Sequence, residues 1–325
     1  MFKHDKYLRG GAGLSDPLHS WAATPSAIRP EGAHSVTIAI SLKVNDGVVL
    51  AADSASTLFA PMPGGQQAVM NVYNNANKVF NLRKGLPLGA ITWGSGSIGP
   101  MSISTLVKDL RRRFAGEDRN HRDWHLDPET YQVGEVAARL REFIFEERYP
   151  EAFKDWATKP PLGFVVAGYS AGDGMAEEYM VQALNGQCPE PALLRGKDES
   201  GMSWNGETEA ISRLMQGVSP ALPMVLQQNL GVPADDIPGI MDVVRQQLTL
   251  PLVMPAMPIQ DAIDLAAFFV DLTIKFSRFA PGAPTVGGPV EVAVITKHEG
   301  FKWVRRKHYY TAEYNPPLPH KMEAE

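Results

Sequence analysis

From Val36 to Val44 apolar and polar side chains alternate. Val36, Ile38, Ile40, Leu42 and Val44 fall on one side, Thr37, Ala39, Ser41 and Lys43 on the other. A period of two predicts a strand with one face in a core. Asn45-Asp46-Gly47 follows and signals a tight turn, because an Asp-Gly pair accepts positive φ. Val48 to Ala52 is apolar on both faces, the pattern of a strand inside a layered fold. Residues 78–82 and 88–93 read as further strands separated by Lys84-Gly85, whereas 58–75, polar with Pro and Gly, reads as a loop.

Helical periods begin after Gly94-Ser95-Gly96-Ser97. One helix is predicted over about 100–114. A second covers about 128–147, with Asp127 as N-cap and Val133, Val136, Leu140, Phe143 and Ile144 on one face. Residues 162–169 and 178–184 read as a hairpin around Ala171-Gly172-Asp173-Gly174, and 188–203 as an insertion. Two helices are predicted over about 207–215 and 233–248. The strongest helical pattern runs from 261 to 279, with Ile263, Ala266, Val270 and Ile274 in line. A closing hairpin spans 290–296 and 301–305 around Glu299-Gly300. Hairpins dominate and no strand–helix–strand alternation occurs, which favours an α+β arrangement of antiparallel sheets covered by helices.

Composition narrows the functions. The chain has 325 residues, 44% of them hydrophobic, enough for one large core or two small ones. A net charge of −5 argues against a nucleic-acid partner. With one cysteine, Cys188, no disulfide can form within the chain, which fits a reducing compartment. Cys188 sits in a turn-like Asn185-Gly186-Gln187-Cys188-Pro189 with no nearby histidine, a poor setting for a nucleophile. Residues 1–30 lack the apolar run of a secretory signal. The apolar stretch 248–259 is short and interrupted by Pro251, Pro255 and Pro258. The expectation is a cytoplasmic protein without a membrane partner. His121, Asp123 and His125 lack a clearly placed further ligand, so no metal and no cofactor is expected. The glycine-rich turn at 94–97 lacks the Gly-Lys-Ser/Thr ending of a phosphate loop.

Four blocks, in order, carry a resemblance. They are Thr37-Ile38-Ala39-Ile40 with Asp46-Gly47-Val48-Val49-Leu50-Ala51-Ala52-Asp53-Ser54, then Asn77-Lys78-Val79, Trp93-Gly94-Ser95-Gly96, and Val286-Gly287-Gly288-Pro289-Val290. Together they resemble the proteasome β-subunit family of N-terminal-nucleophile (Ntn) hydrolases, and the chain looks like a bacterial proteasome-type peptidase. Thr37 and Asp53 keep the family's separation of sixteen positions. The resemblance implies a four-layer αββα sandwich of two antiparallel sheets flanked by helices. It also implies a leader over 1–36, a catalytic domain over 37–310 and a tail over 311–325.

The resemblance further implies roles. Thr37, freed by loss of the leader, would be the nucleophile, with its own α-amine as base. An α-amine near pKa ~7.7–8.0 suits that task at neutral pH. Lys78 would favour ionisation of the Thr37 hydroxyl, Asp53 would hold Lys78, and the Gly94 N–H would stabilise the oxyanion. Thr57 and Gly96 would line the site of an extended peptide. The implied function is threonine-type endopeptidase activity on peptides or unfolded protein in a homo-oligomeric ring, with room for an ATPase partner. Val36 stands where the family has glycine, and Ala283 and Val286 stand where it has polar support for the amine. Those positions favour the alternative, a non-catalytic Ntn-fold subunit; a small-amide hydrolase is the other alternative. At least one of Ser95, Asn205 and Thr208 is expected to replace that support for the amine, Ser95 first among them.

Overall fold

The computed structural model describes residues 37–61, 67–156, 159–184, 186–281 and 284–307. The expected leader, the whole of the expected tail and Ala283 lie outside them. The strands are β1 (Ile38–Val44), β2 (Gly47–Ala52), β3 (Ser56–Pro61), β4 (Gln67–Tyr73), β5 (Val79–Asn81), β6 (Leu88–Gly94), β7 (Ser97–Ile98), β8 (Met101–Ser102), β9 (Leu162–Gly168), β10 (Glu177–Ala183), β11 (Ala192–Arg195), β12 (Gly201–Gly206), β13 (Glu291–Thr296) and β14 (Gly300–Arg305). The α-helices are α1 (Ile103–Phe114), α2 (Val133–Arg141), α3 (Tyr149–Ala152), α4 (Glu209–Gln216), α5 (Leu222–Gln228), α6 (Ile237–Leu248) and α7 (Ile259–Phe279).

Two five-stranded sheets form the centre, in the orders β12-β1-β2-β13-β14 and β11-β10-β9-β6-β5. Every pairing in them is antiparallel. The alternation in β1 explains how they stack. Ile38, Ile40 and Leu42 pack with Ala266, Phe269 and Val270 of α7 on the outer side. Ala39, with Leu50 of β2 and Ala293 of β13, packs against Ile91, Trp93 and Val165 of the second sheet. The other side of the second sheet is covered by α1 and α2, through Leu106, Leu110, Val136 and Leu140 among others. The result is an α+β sandwich of four layers, αββα.

Several local expectations change. Residues 58–75 do not form a plain loop: β3 and β4 make a hairpin with Thr57 opposite Val72. The 188–203 insertion contributes β11 and the first half of β12, which form one edge of each large sheet. The helix expected from 128 starts at Val133, whose N–H donates to Ser170 Oγ (3.0 Å). Asp127 builds a turn instead, accepting from Glu129 N (2.9 Å). That helix ends in a π-helical turn over Glu142–Glu146. The periodicity missed α5, which buries no residue. Among the described residues no helix is long and apolar enough to cross a membrane.

Candidate active site

Thr37 directly precedes β1 and is buried. Its carbonyl accepts from Glu207 N (2.6 Å), which extends the β1–β12 ladder by one step. By strand alternation its side chain falls on the face that looks toward the second sheet. Asp53 follows β2, the neighbour of β1, and is fully buried. A buried carboxylate is tolerated only when its oxygens are satisfied. Here Oδ1 accepts from Ile38 N (3.0 Å) and from Lys78 Nζ (2.6 Å), and Oδ2 from Ala55 N (3.0 Å) and Gly287 N (3.0 Å).

Lys78 comes from the other sheet, just before β5, where its carbonyl accepts from Thr92 N (3.0 Å). The Asp53–Lys78 pair therefore spans the two sheets rather than adjacent strands of one. The ammonium shares one oxygen with the amide of Ile38, the residue after Thr37. Burial lowers the Lys78 pKa from 10.5, and the Asp53 carboxylate opposes that shift.

Gly94 closes β6 with a φ of 92°. A Cβ there would lie 2.2 Å from the Pro161 carbonyl oxygen, so the turn excludes any side chain. Ser95 N–H donates to that same oxygen (2.9 Å). Gly96 lies against β3, where an added Cβ would be 2.9 Å from Ser56 Oγ. Thr57, which follows Ser56, has a buried Oγ1 with no hydrogen-bond partner among the described residues.

The three expected supports for the amine differ. Ser95 does not serve, because its hydroxyl donates to the Ser97 carbonyl (2.7 Å) in its own exposed turn. Thr208 begins α4, and its carbonyl accepts from Ser212 N (2.8 Å). Asn205 sits opposite Ala39, on the face shared with Thr37, and its buried Nδ2 has no partner among the described residues. Val286 is buried in the apolar cluster beneath α7. The Cys188 thiol is pushed up to about 11, chiefly by burial, which removes it as a nucleophile at neutral pH. His121 Nδ1 lies 3.0 Å from Asp118 Oδ2, at the edge of Trp124.

Two charged residues escaped the sequence reading. Glu291 opens β13 opposite Ala52 and is buried. Lys307, two residues beyond β14, extends its ammonium to within 3.0 Å of Glu291 Oε2. The available signal was Glu291 itself, a charge at the head of the apolar run Val292-Ala293-Val294-Ile295. Lys307 has no sequence signal.

Fold and site define a four-layer antiparallel sandwich with a buried Asp–Lys pair at the head of its first strand. Among solved structures, the chain is similar to the Anbu complex from Pseudomonas aeruginosa, determined as a helical assembly. Identity is 14%, with 86% of this chain and 90% of that one covered and a TM-score of 0.44. It is also similar to an Anbu Gly-1 mutant from Hyphomicrobium sp. strain MC1, at 14% identity, 83% and 86% coverage and a TM-score of 0.42. No family model and no curated protein matches the chain. These findings correct the family expected from the sequence: the neighbours are Anbu subunits, and the chain is not placed among proteasome β subunits. The four blocks form a hairpin, a buried ion pair between the two sheets and two glycine turns. At this identity and TM-score the likeness carries no argument about activity, substrate or assembly.

Proposed function

We propose that the chain is an amide-bond hydrolase of the threonine-peptidase type, with Thr37 as nucleophile once the Val36–Thr37 bond is cut. The observation that carries this reading is the Asp53–Lys78 pair, 2.6 Å apart and buried, sharing a carboxylate oxygen with the Ile38 amide. The fold holds another buried pair, Glu178–Arg195, so the position of this one is what counts: it lies against the amide of the residue after Thr37. In the proposed reaction the Thr37 hydroxyl adds to a substrate carbonyl while the freed α-amine takes its proton. The same amine returns the proton to the leaving amine, and water then hydrolyses the ester. Lys78, held by Asp53, favours the ionised hydroxyl. The Gly94 N–H stabilises the oxyanion. Thr57 and Gly96 flank an extended peptide, with the free Thr57 hydroxyl as one contact.

The non-catalytic reading is favoured by Val286, buried among apolar side chains where polar support for the amine was expected. Intact mass and N-terminal sequencing separate the two: an active protein begins at Thr37. Processed protein should react covalently with a peptide epoxyketone, which engages both hydroxyl and free amine. Lys78→Met should reduce that reaction by about 100-fold or more while circular dichroism stays native. Processed protein that leaves the epoxyketone untouched sinks the proposal.

A further inference from the structure

Lys307 ends the described C-terminal segment with a side chain that is only 7% exposed. An ammonium has three protons to place. Two go to Ser54 Oγ and the Ala76 carbonyl, each at 2.6 Å, and Glu291 Oε2 lies 3.0 Å away. Ser54 is bonded to Asp53, and Ala76 precedes Lys78 by two residues. The same two segments are joined by Ala76 N–H to the Ser54 carbonyl (2.9 Å). Ser54 also reaches the loop before β13, through Ser54 N to Gly287 O (2.9 Å) and Ser54 Oγ to Pro289 O (2.6 Å). That loop returns Gly287 N–H to Asp53 Oδ2 (3.0 Å).

We propose that Lys307, paired with Glu291, is a positioning residue of the Asp53–Lys78 site, its ammonium fastening the segment that carries Asp53 to the segment that delivers Lys78. The inference rests on the Thr37 reading for its catalytic consequence. The segments belong to different sheets, so no strand ladder fixes their relative position. Beside the single Ala76–Ser54 backbone bond, one buried ammonium bonded to both does. The four charges also balance, two carboxylates against two ammoniums, which makes their burial tolerable.

The charges that act on Lys78 are Asp53, Lys307 and Glu291; those that act on Lys307 are Glu291, Asp53 and Arg306. Lys307 lowers the proton affinity of Lys78, and Glu291 raises it. Removing one or the other should therefore shift Lys78 in opposite directions.

The test uses the full chain with isotope-labelled lysine side chains, the Lys78 signal being assigned by its loss in Lys78→Met. NMR titration of Lys307→Met should move the Lys78 midpoint upward, and Glu291→Gln downward. A merely structural role would loosen the site and move both midpoints the same way, toward 10.5. In processed protein, Lys307→Met should slow epoxyketone labelling about tenfold, and Lys307→Arg should recover part of the loss. Midpoints that stay fixed or shift together overturn the inference, as does wild-type labelling speed in Lys307→Met. Wild-type protein that does not label sinks the Thr37 reading instead, and the lysine titrations still decide the coupling.

Discussion

At position 94 the backbone takes a φ of 92° with the Pro161 carbonyl against the missing Cβ. An L side chain meets both a torsional and a steric penalty there. Gly94→Ala should lower stability by about 2 kcal/mol or more, read by urea unfolding, and should also displace the turn that faces Thr57. Gly288 poses the same constraint on the other flank, with φ of 76° and Asn74 O 2.5 Å from a built Cβ. Both glycines were legible as turns. Their necessity was not, because the obstructing carbonyls come from distant segments. Asp53 and Lys78 were singled out through the resemblance carried by their blocks. Which atoms satisfy the buried carboxylate could not, since Ala55 and Gly287 donate only through their backbones.

The element that most secures β1 and β2 is α7, which covers their outer faces through Ala262, Ala266, Phe269 and Val270. Phe269 is fully buried, and Phe269→Ala should cost about 3–5 kcal/mol in chemical denaturation. The neighbouring Phe268 is exposed, so Phe268→Ala is the control and should stay within about 1 kcal/mol. This helix was plain in the sequence because its apolar positions repeat at helical spacing over 21 residues. Short pieces were not. The β3–β4 hairpin joins neither large sheet, and its partners are set by backbone pairing. Strand β12 has alternating Met202 and Trp204 on the helix side, yet it is brief and bounded by glycines. The start of α2 at Val133 depends on Ser170, a residue far along the chain.

Across the whole molecule the two sheets are joined by a second buried ionic group. Glu178 of β10 bonds Ser41 of β1 and Arg195 of β11, and Arg195 reaches Ser41 O (3.3 Å) and Ser203 Oγ (3.1 Å). Arg195→Met alone leaves a buried carboxylate unpaired and should cost about 3–5 kcal/mol. Adding Glu178→Leu should recover much of that loss, as a double-mutant cycle in urea would show. The pH dependence has its own marker. Burial, aided by the charge of Asp173, pushes the Tyr131 phenol up to about 12 from its ordinary 10.0. With the folded pKa raised, the stabilising contribution is complete below 10 and disappears as pH rises through about 12. Tyr131→Phe should flatten the alkaline fall in melting temperature between those values. Lys43, Lys78 and Lys307 act in the other direction. Their pKa values are lowered by burial, so their penalty is present at neutral pH and relieved as pH approaches 10.5.

The sequence by itself determined the layered α+β class, the strand–turn–strand opening at 37–53 and the long covering helix. Each is written in a local period: two residues for a half-buried strand, 3.6 for a helix, Asp-Gly for the turn between strands. Tertiary structure alone decided which strands form the sheet edges and how Asp53 and Lys78 meet across the two sheets. It also decided that Glu291 and Lys307 join them. Those outcomes depend on contacts beyond the reach of any local period, 25 positions apart for Asp53 and Lys78 and 253 for Ser54 and Lys307. The relevant quantity there is the cost of burying charge, and it is relieved only by partners that no local pattern can specify.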